Sequence, residues 1–319
     1  MPGIELSKLK RIEPDVLKQL KEHPVRYARK GRSLVLKLLT YLVLLELSFI
    51  FVLPIMYILS TSSKSIQDFL DTTIVWIPSG IHWHNYTQAL KGMYFQEALL
   101  NSLTITVAAC VGQVLSCAIT GYGFGRYKFP LSGFLFGLVL LTLLVPPQTI
   151  IISLFSLFSK LGWLNSYMPF IVPAFFAHGL RGALFILIFR QFFRSLPTEL
   201  EEAARIDGAG PIRVFTTIML PLAKPAIIIV AMFSFVWHWN DYYEPSLYLN
   251  RTELYTLPLR LDSIGNAFAM LFGGDIDLGL NEPIIMAACF LVIAPLFVLY
   301  LIGQGYIKEG IERTGFGGE

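Results

Sequence analysis

The feature that most constrains this chain is the repeated occurrence of long apolar stretches. An α-helix that crosses a bilayer needs about 20 consecutive, mostly apolar residues, and six stretches reach or approach that length. They are residues 34–59, 100–124, 131–151, 167–189, 226–243 and 283–303. Within lipid, a helix satisfies all of its backbone polar groups internally. The sequence therefore predicts an all-α integral membrane protein with six transmembrane helices.

Composition excludes a water-soluble globular protein. Only 15% of the residues are charged and 55% are hydrophobic, whereas a soluble domain carries roughly 25% charged residues. The three cysteines, Cys110, Cys117 and Cys289, lie inside apolar runs, and an odd number at such positions argues against a disulfide framework. His82 and His84 lack neighbouring carboxylate or thiol partners, so no metal site is predicted.

The distribution of basic residues predicts the orientation in the membrane. Eighteen of the 25 Lys and Arg residues fall on one side of the predicted spans and five on the other. Because cytoplasmic loops carry the excess of Lys and Arg, both termini and the stretch 196–225 are expected in the cytoplasm. The expected organisation is a basic N-terminal segment (residues 1–33), a six-helix membrane domain (residues 34–303) and a C-terminal tail (residues 304–319). Two interpretations of the N-terminal segment remain open, an interfacial helix on the anionic inner leaflet and a solvated basic tail.

The stretch 196–225 is the longest polar interruption in the second half of the chain. Thr198 followed three residues later by Glu201 has the spacing of a capping box, which predicts a short helix over residues 199–207. Gly208 suits the left-handed residue that ends such a helix.

A second short helix is expected directly after this turn. Pro211 fits the first position of a helix over residues 212–219, and Pro221 is expected to end it. Two short helices joined at a glycine form a compact projection whose small and apolar residues suit docking into a groove of a partner. These residues are Leu200, Ala203, Ala204 and Ile206.

The same stretch carries a resemblance to a known family. Glu202-Ala203-Ala204 is followed after three residues by Gly208 and after nine more by Ile218-x-Leu220-Pro221. This pattern resembles the EAA loop of bacterial ABC-importer permeases, in which the loop forms a cytoplasmic coupling helix that sits in a cleft of the ATPase subunit. Further matches, which together cover most of the chain from residue 34 onward, resemble a sugar-importer permease of the maltose type. They lie at Asn101-Ser102, Pro146-Pro147-Gln148, Trp239-Asn240-Asp241 and Gln304-x-Tyr306.

The resemblance implies a type I ABC importer permease fold with a cytoplasmic coupling helix in the EAA loop (residues 196–225). The residues it assigns to ATPase coupling are Glu202, Ala203, Ala204, Asp207, Gly208, Leu220 and Pro221. The implied partners are a second permease subunit, two ATPase subunits and an extracytoplasmic sugar-binding protein, around a multi-pass chain in the bacterial cytoplasmic membrane. No phosphate-binding GxxxxGK[ST] motif occurs in the sequence, so ATP and Mg²⁺ are expected at the ATPase, with no cofactor and no catalytic residue on this chain. Contact with lipid is expected, and contact with nucleic acid is not.

Two charged residues fall inside predicted spans. Glu46 lies near the middle of the first and Arg181 near the middle of the fourth. A charge at the bilayer centre costs at least about 2.5–3.5 kcal/mol on insertion scales and therefore needs a partner or water. Two interpretations remain open, an ion pair that fixes two helices and a role in the translocation pathway.

An aromatic and polar run covers residues 233–241 of the fifth predicted span. Aromatic faces stack on the C–H faces of sugar rings, which favours a pathway role for one residue such as Trp237 or Asn240, with Trp239 as a further candidate. Trp and Tyr also form belts at the membrane interface, and that interpretation fits the run as a whole.

The third predicted span contains a proline pair and a glycine pair. Pro146-Pro147 must interrupt a helix, either as a bend that lines a cavity or as a simple helix end. Gly133 and Gly137 have the small-xxx-small spacing that lets membrane helices approach closely.

Other functions share some of these features. An importer of amino acids, peptides or phosphate could carry the same loop. A secondary transporter would need ionisable relays in several spans and usually an internal repeat, whereas the sequence offers one candidate pair and no repeat. A scaffold protein in the membrane would need no charged loop with a glycine turn.

Overall fold

The computed structural model describes residues 24–179, 181–267 and 282–315, with side chains described from residue 33 to residue 305 of these ranges. Helices are the only regular elements found in this part of the chain, which agrees with the predicted all-α class. The first seven are α1 (Pro24–Ser62), α2 (Ile66–Leu70), α3 (His84–Gly92), α4 (Phe95–Arg126), α5 (Ser132–Leu144), α6 (Pro147–Lys160) and α7 (Met168–Phe175). The second seven are α8 (Gly182–Ser195), α9 (Glu199–Ile206), α10 (Pro211–Leu222), α11 (Lys224–Trp239), α12 (Tyr243–Tyr248), α13 (Leu257–Asp262) and α14 (Glu282–Gly315).

Proline marks the beginning of many of these helices. It occupies one of the first two positions of α6, α7, α10, α11 and α13. The first turn has no internal partner for its N–H groups, so a residue without an N–H loses nothing there. Proline therefore favours the start of these five helices where the structure has it.

The chain divides by its contacts into two compact units, residues 1–58 and residues 59–319. The first unit holds most of α1, and the second holds the end of α1 and all the other helices. Residues 1–23 of the predicted N-terminal segment lie outside the described residues. At the other end, α14 continues through Gly315, past residue 303 where the sixth span was predicted to end.

Three of the described helices are long and apolar enough to cross a membrane, namely α1, α4 and α14. The bent pairs α5–α6 and α10–α11 pass the same test when each pair counts as one span, which gives up to five. The stretch 167–189, predicted as the fourth span, is instead two helices, α7 and α8, separated by residues 176–181. The count of six spans therefore stays a prediction.

Pro146-Pro147 interrupts the helix as predicted. α5 ends at Leu144, α6 begins at Pro147, and the two axes differ by 100°. The N–H of Thr149 donates to the carbonyl of Pro146 at 3.0 Å and so closes the first turn of the new helix. The interruption is a sharp bend between two helices, and its role in lining a cavity stays a prediction.

Helix α4 is the centre of the second unit, and it packs against α7, α8 and α11. Two of its glycines allow close approach. A Cβ at Gly121 would lie 2.6 Å from Cβ of Phe189, and one at Gly112 would lie 2.6 Å from the ring of Phe175. At Gly133 and Gly137, by contrast, a Cβ would meet nothing within 4 Å. Of the described residues, none packs closely on that pair, so a close helix approach at Gly133 and Gly137 stays a prediction.

Asn101 and Ser102, which contribute to the family resemblance, hold a distant segment against α4. The Asn101 amide donates to the carbonyls of Glu253 (2.7 Å) and Tyr255 (3.1 Å). The backbone N–H of Leu257 donates to the hydroxyl of Ser102 at 2.8 Å. These bonds satisfy backbone groups of an irregular segment, as buried polar groups require. The two side chains therefore fix the approach to α13.

Candidate functional site

The first helix of the EAA loop forms where the sequence predicts it. α9 covers Glu199–Ile206 and carries three acidic residues in its first turn, where the helix dipole favours negative charge. The prediction of a capping box is wrong, however, because the Thr198 side chain makes no capping hydrogen bond. The Glu201 side chain does not turn back to the start of the helix but points into the protein, where it is buried.

Glu201 forms a buried ion pair with Arg126, the last residue of α4. Its Oε1 atom accepts a hydrogen bond from Nε of Arg126 at 2.8 Å, and the side chains of Arg126 and Glu201 are 6% and 8% exposed. The same guanidinium donates to the carbonyls of Phe193, Leu196 and Pro197 at 3.3, 2.9 and 3.2 Å. One side chain thus joins α9, the end of α8 and the end of α4, although no motif in the sequence indicates this pair.

Most of the α9 residues to which the resemblance assigns a coupling role are exposed. Glu202 and Ala203 are exposed, as is Asp207 at the end of the helix. Ile206 is 86% exposed. Ala204 differs, because it is buried in the core beneath the loop with Val214 and Met219. α9 therefore presents an acidic and apolar surface outward and is fixed from below.

Gly208 forms the turn after α9, as predicted. Its φ is +79°, a conformation that glycine adopts without steric cost. The N–H of Gly208 donates to the carbonyl of Arg205 at 3.0 Å and that of Ala209 to the carbonyl of Ala204 at 2.9 Å. This pair of bonds is the Schellman arrangement that satisfies the last carbonyls of a helix, so the direction of the chain after α9 is fixed.

The second helix of the loop begins at Pro211 as predicted but does not end at Pro221. α10 continues to Leu222, and its central turn, Phe215–Met219, is π-helical. Here the N–H of Leu220 donates to the carbonyl of Phe215, five residues back. The wider turn lies immediately before Pro221, which has no N–H to continue an α-helical ladder. The helix accommodates this proline instead of stopping at it.

The structure brings together two of the residues predicted for the substrate pathway, Arg181 and Trp237. The guanidinium carbon of Arg181 lies 5.6 Å from the centre of the Trp237 ring, within the range of a cation–π contact. Arg181 is exposed and precedes the first residue of α8 with a φ of +60°. The prediction placed Arg181 near the middle of a continuous span. In the structure it lies at the start of a helix.

Polar side chains of α4 support the break between α7 and α8. The hydroxyl oxygen of Ser116 accepts a hydrogen bond from the N–H of Ala177 at 3.0 Å and lies 2.7 Å from the carbonyl oxygen of Ala174. The thiol of Cys117 donates to the carbonyl of Gly182 at 3.6 Å. Irregular backbone at membrane depth is tolerated only where protein or water satisfies it. Side chains of α4 thus hold the backbone on both sides of the break between α7 and α8.

The other pathway candidates have different surroundings. Trp239 is 1% exposed, stacks on Phe235 and donates its ring N–H to the carbonyl of Val292 at 3.1 Å. This burial argues against a pathway role for Trp239 and gives it a packing role between α11 and α14. Asn240 is exposed at the end of α11, where its amide donates to the carbonyl of Val236. Glu46 is exposed on α1, in the unit of residues 1–58, and its pairing with Arg181 stays a prediction.

Comparison with known proteins gives consistent matches. The model of the family described as "Binding-protein-dependent transport system inner membrane component" matches residues 118–313. An osmoprotective compounds uptake permease protein of Synechocystis sp. is 31% identical over 283 residues, which are 86% of this chain and 90% of that protein. An arabinooligosaccharides transport system permease protein of Halalkalibacterium halodurans is 29% identical over 276 residues, which are 85% of this chain and 93% of that one.

A solved structure has the same fold. It is the crystal structure of a bacterial ABC transporter involved in the import of the acidic polysaccharide alginate. One of its chains superposes with a TM-score of 0.73 and 20% sequence identity, covering 85% of this chain and 96% of that chain. At this level of identity the likeness concerns the fold.

Proposed function

Because this chain belongs to the family of binding-protein-dependent transport system inner membrane components, we propose that it is the membrane-spanning permease subunit of an ATP-driven importer for a sugar or oligosaccharide. The relative from Halalkalibacterium halodurans is named for arabinooligosaccharides and the fold neighbour for alginate. Both substrates are saccharides, and this supports the substrate class. An importer for another solute would share the fold and the EAA loop.

The proposed complex contains a second permease subunit, two ATPase subunits and an extracytoplasmic sugar-binding protein. The binding protein delivers substrate on the outer side, and the two permeases together form the pathway. ATP and Mg²⁺ bind at the ATPase subunits. No group of three or more His, Cys, Asp or Glu side chains suited to a metal lies together in residues 24–179, 181–267 and 282–315. In this proposal the contribution of the chain is mechanical and selective.

The observation that supports the coupling role is that α9 has one buried face and one exposed face. Glu201 and Ala204 fasten the helix to the protein, while Glu202, Ala203 and Ile206 remain outside. An exposed acidic and apolar helix face fits a groove with basic and apolar walls. Glu202 is the residue that we assign to a charge-assisted contact with the ATPase.

The Arg126–Glu201 pair provides a route for the motion. When the ATPase subunits dimerise on ATP, the EAA loops of the two permeases move together. A helix held at one buried guanidinium by an ion pair and three backbone carbonyls cannot move alone. Displacement of α9 is therefore passed to α4 and α8, whose rearrangement opens the cavity outward, and hydrolysis reverses it.

Co-purification of the ATPase tests this proposal. The permease carries an affinity tag and is expressed with the proteins of its own transport operon, and the variants are Glu202→Lys and Glu253→Lys. Glu253 is an exposed acidic residue on the predicted outer side, so its reversal controls for the change of charge. We expect the ATPase to co-purify with the wild type and Glu253→Lys but not with Glu202→Lys, at equal amounts of membrane-inserted permease. Equal recovery with both variants would contradict the coupling role of Glu202.

A further inference from the structure

An exposed arginine stands in the break between α7 and α8. Of the residues that the structure describes, no carboxylate lies within ion-pair distance of Arg181, and its side chain contacts the Trp237 ring. The break falls within the stretch predicted as the fourth span. At the depth predicted for that span, a charge cannot face lipid without a large cost and would mark a water-filled or protein-lined path. Interrupted membrane helices are also where transporters place substrate sites.

The Trp237 ring that Arg181 contacts is packed against two other aromatic rings. The Trp237 ring lies 5.6 Å from Phe233 at an interplanar angle of 24° and 5.5 Å from Phe185 at 37°. Trp237 is partly exposed and Phe233 is 50% exposed. The ring is thus held in place by two neighbouring rings. Its exposed part offers an apolar surface on which a sugar ring can stack.

We propose that Arg181 and Trp237 form a substrate subsite for an anionic sugar, one that carries a carboxylate or a phosphate. The guanidinium binds the anionic group through bidentate hydrogen bonds. The indole stacks on the C–H face of the same sugar ring or of its neighbour. A neutral sugar would engage only the indole. This inference rests on the proposed function, and it adds the charge of the substrate.

Direct binding to the assembled complex tests the subsite. The permease–ATPase complex is reconstituted in lipid nanodiscs, and tryptophan emission is followed while three probes are added, namely trigalacturonate, glucose 6-phosphate and maltotriose. The two anionic probes distinguish a carboxylate from a phosphate, and maltotriose is the neutral control. The variants are Arg181→Gln, Trp237→Phe and, to test the alternative ion pair, Glu46→Gln.

We expect at least one anionic probe to change the emission, and the change to be absent in Trp237→Phe. Loss of a charge-assisted hydrogen bond should raise the half-saturating concentration of that probe about tenfold or more in Arg181→Gln. The response to maltotriose should be the same in Arg181→Gln and in the wild type. Glu46→Gln should bind all three probes like the wild type.

Several outcomes would overturn the subsite. One is an unchanged affinity for both anionic probes in Arg181→Gln, and another is an equal loss for charged and neutral probes. A third is loss of complex assembly in both Arg181→Gln and Glu46→Gln, which would make Arg181 the partner of Glu46. A fourth is the absence of any response of Trp237 to the anionic probes. If the complex nevertheless couples ATP hydrolysis to uptake of a neutral sugar, the proposed function stands and the anionic subsite fails.

Discussion

At the scale of single residues, two neighbouring glutamates of α9 have opposite surroundings. Glu201 is buried and paired with Arg126 at 2.8 Å, whereas Glu202 is exposed. A buried ion pair adds little net stability when compared with an apolar pair, but removal of one partner leaves an unpaired buried charge. The adjacent positions therefore allow stability to be separated from partner binding.

Substitution of Glu201 should destabilise the protein. We expect Glu201→Gln to lower the free energy of unfolding by about 3–5 kcal/mol, since Arg126 loses its counter-charge in a buried site. Thermal unfolding of the purified permease in detergent measures the change, with Glu202→Gln as the matched control. A similar unfolding temperature for the two variants would contradict the anchoring role of Glu201.

The same residue shows where sequence reasoning reaches its limit. Thr198 and Glu201 have capping-box spacing, and a pattern read along the chain cannot detect a stronger partner elsewhere. Arg126 lies 75 residues earlier, and its ion pair displaces the local capping bond. The turn at Gly208 was predictable because a left-handed helix end is a local property of the backbone. The pair of Arg181 with Trp237 was not, because it depends on how two distant helices pack.

At the scale of elements, the turn between α9 and α10 sets the direction of the EAA loop. Gly208 has a φ of +79°, while Gly210, two residues later, has a φ of −71°. A Cβ would meet nothing within 4 Å at either position. Steric crowding is thus the same at both glycines, and only the backbone conformation differs.

We expect Gly208→Val to uncouple ATP hydrolysis from transport while the chain still inserts in the membrane. A β-branched residue in the left-handed region costs roughly 1–2 kcal/mol, which the turn can relieve by changing the angle between α9 and α10. ATPase activity and uptake in proteoliposomes measure the effect, and Gly210→Val is the control. Normal uptake by Gly208→Val would count against a coupling role for this turn.

The packing of α4 on α8 gives a second pair of glycines. A Cβ at Gly121 would lie 2.6 Å from Cβ of Phe189 and 2.9 Å from the backbone nitrogen of Arg190, whereas one at Gly123 would meet nothing within 4 Å. We expect Gly121→Ala to cost about 1–3 kcal/mol through overpacking, and Gly123→Ala to have little effect. Thermal unfolding in detergent compares the two, and equal stability would show that α8 moves aside freely.

The glycines of this contact were not among those singled out in the sequence. Gly133 and Gly137 fit the small-xxx-small pattern, but whether such a pair meets another helix depends on the direction it faces. The proline positions were better guides, because proline acts on its own backbone. Pro146-Pro147 bends the chain by 100° as expected, and Pro221 departs from expectation only because the preceding turn widens.

At the scale of the whole molecule, composition was sufficient to predict an all-α membrane protein. The resemblance was sufficient to predict the family. Apolar length identified the helices that are able to span a membrane, α1, α4 and α14, from the sequence alone. It did not distinguish a continuous span from two helices with a supported break, as at residues 176–181, because both have the same composition. The positive-inside count also yields an orientation that labelling can test.

Two exposed positions make that orientation measurable. Ile206, at the end of α9, is 86% exposed, and Trp83, before α3, is 68% exposed. In a variant without its native cysteines, we expect Ile206→Cys to react with a membrane-impermeant maleimide only in inside-out vesicles, and Trp83→Cys only in right-side-out vesicles. The opposite pattern would place the EAA loop outside the cell and exclude contact with an ATPase.

The break between α7 and α8 also bears on how relatives of this permease could come to recognise different solutes. Ser116 and Cys117, on the neighbouring helix, hold the interrupted backbone through its main-chain atoms. The side chains of His178 and Arg181 project from that backbone and are exposed. Replacements at these two sites would alter the chemistry offered to a passing molecule while the scaffold stays intact. Divergence in specificity can therefore proceed at this interruption with few accompanying substitutions.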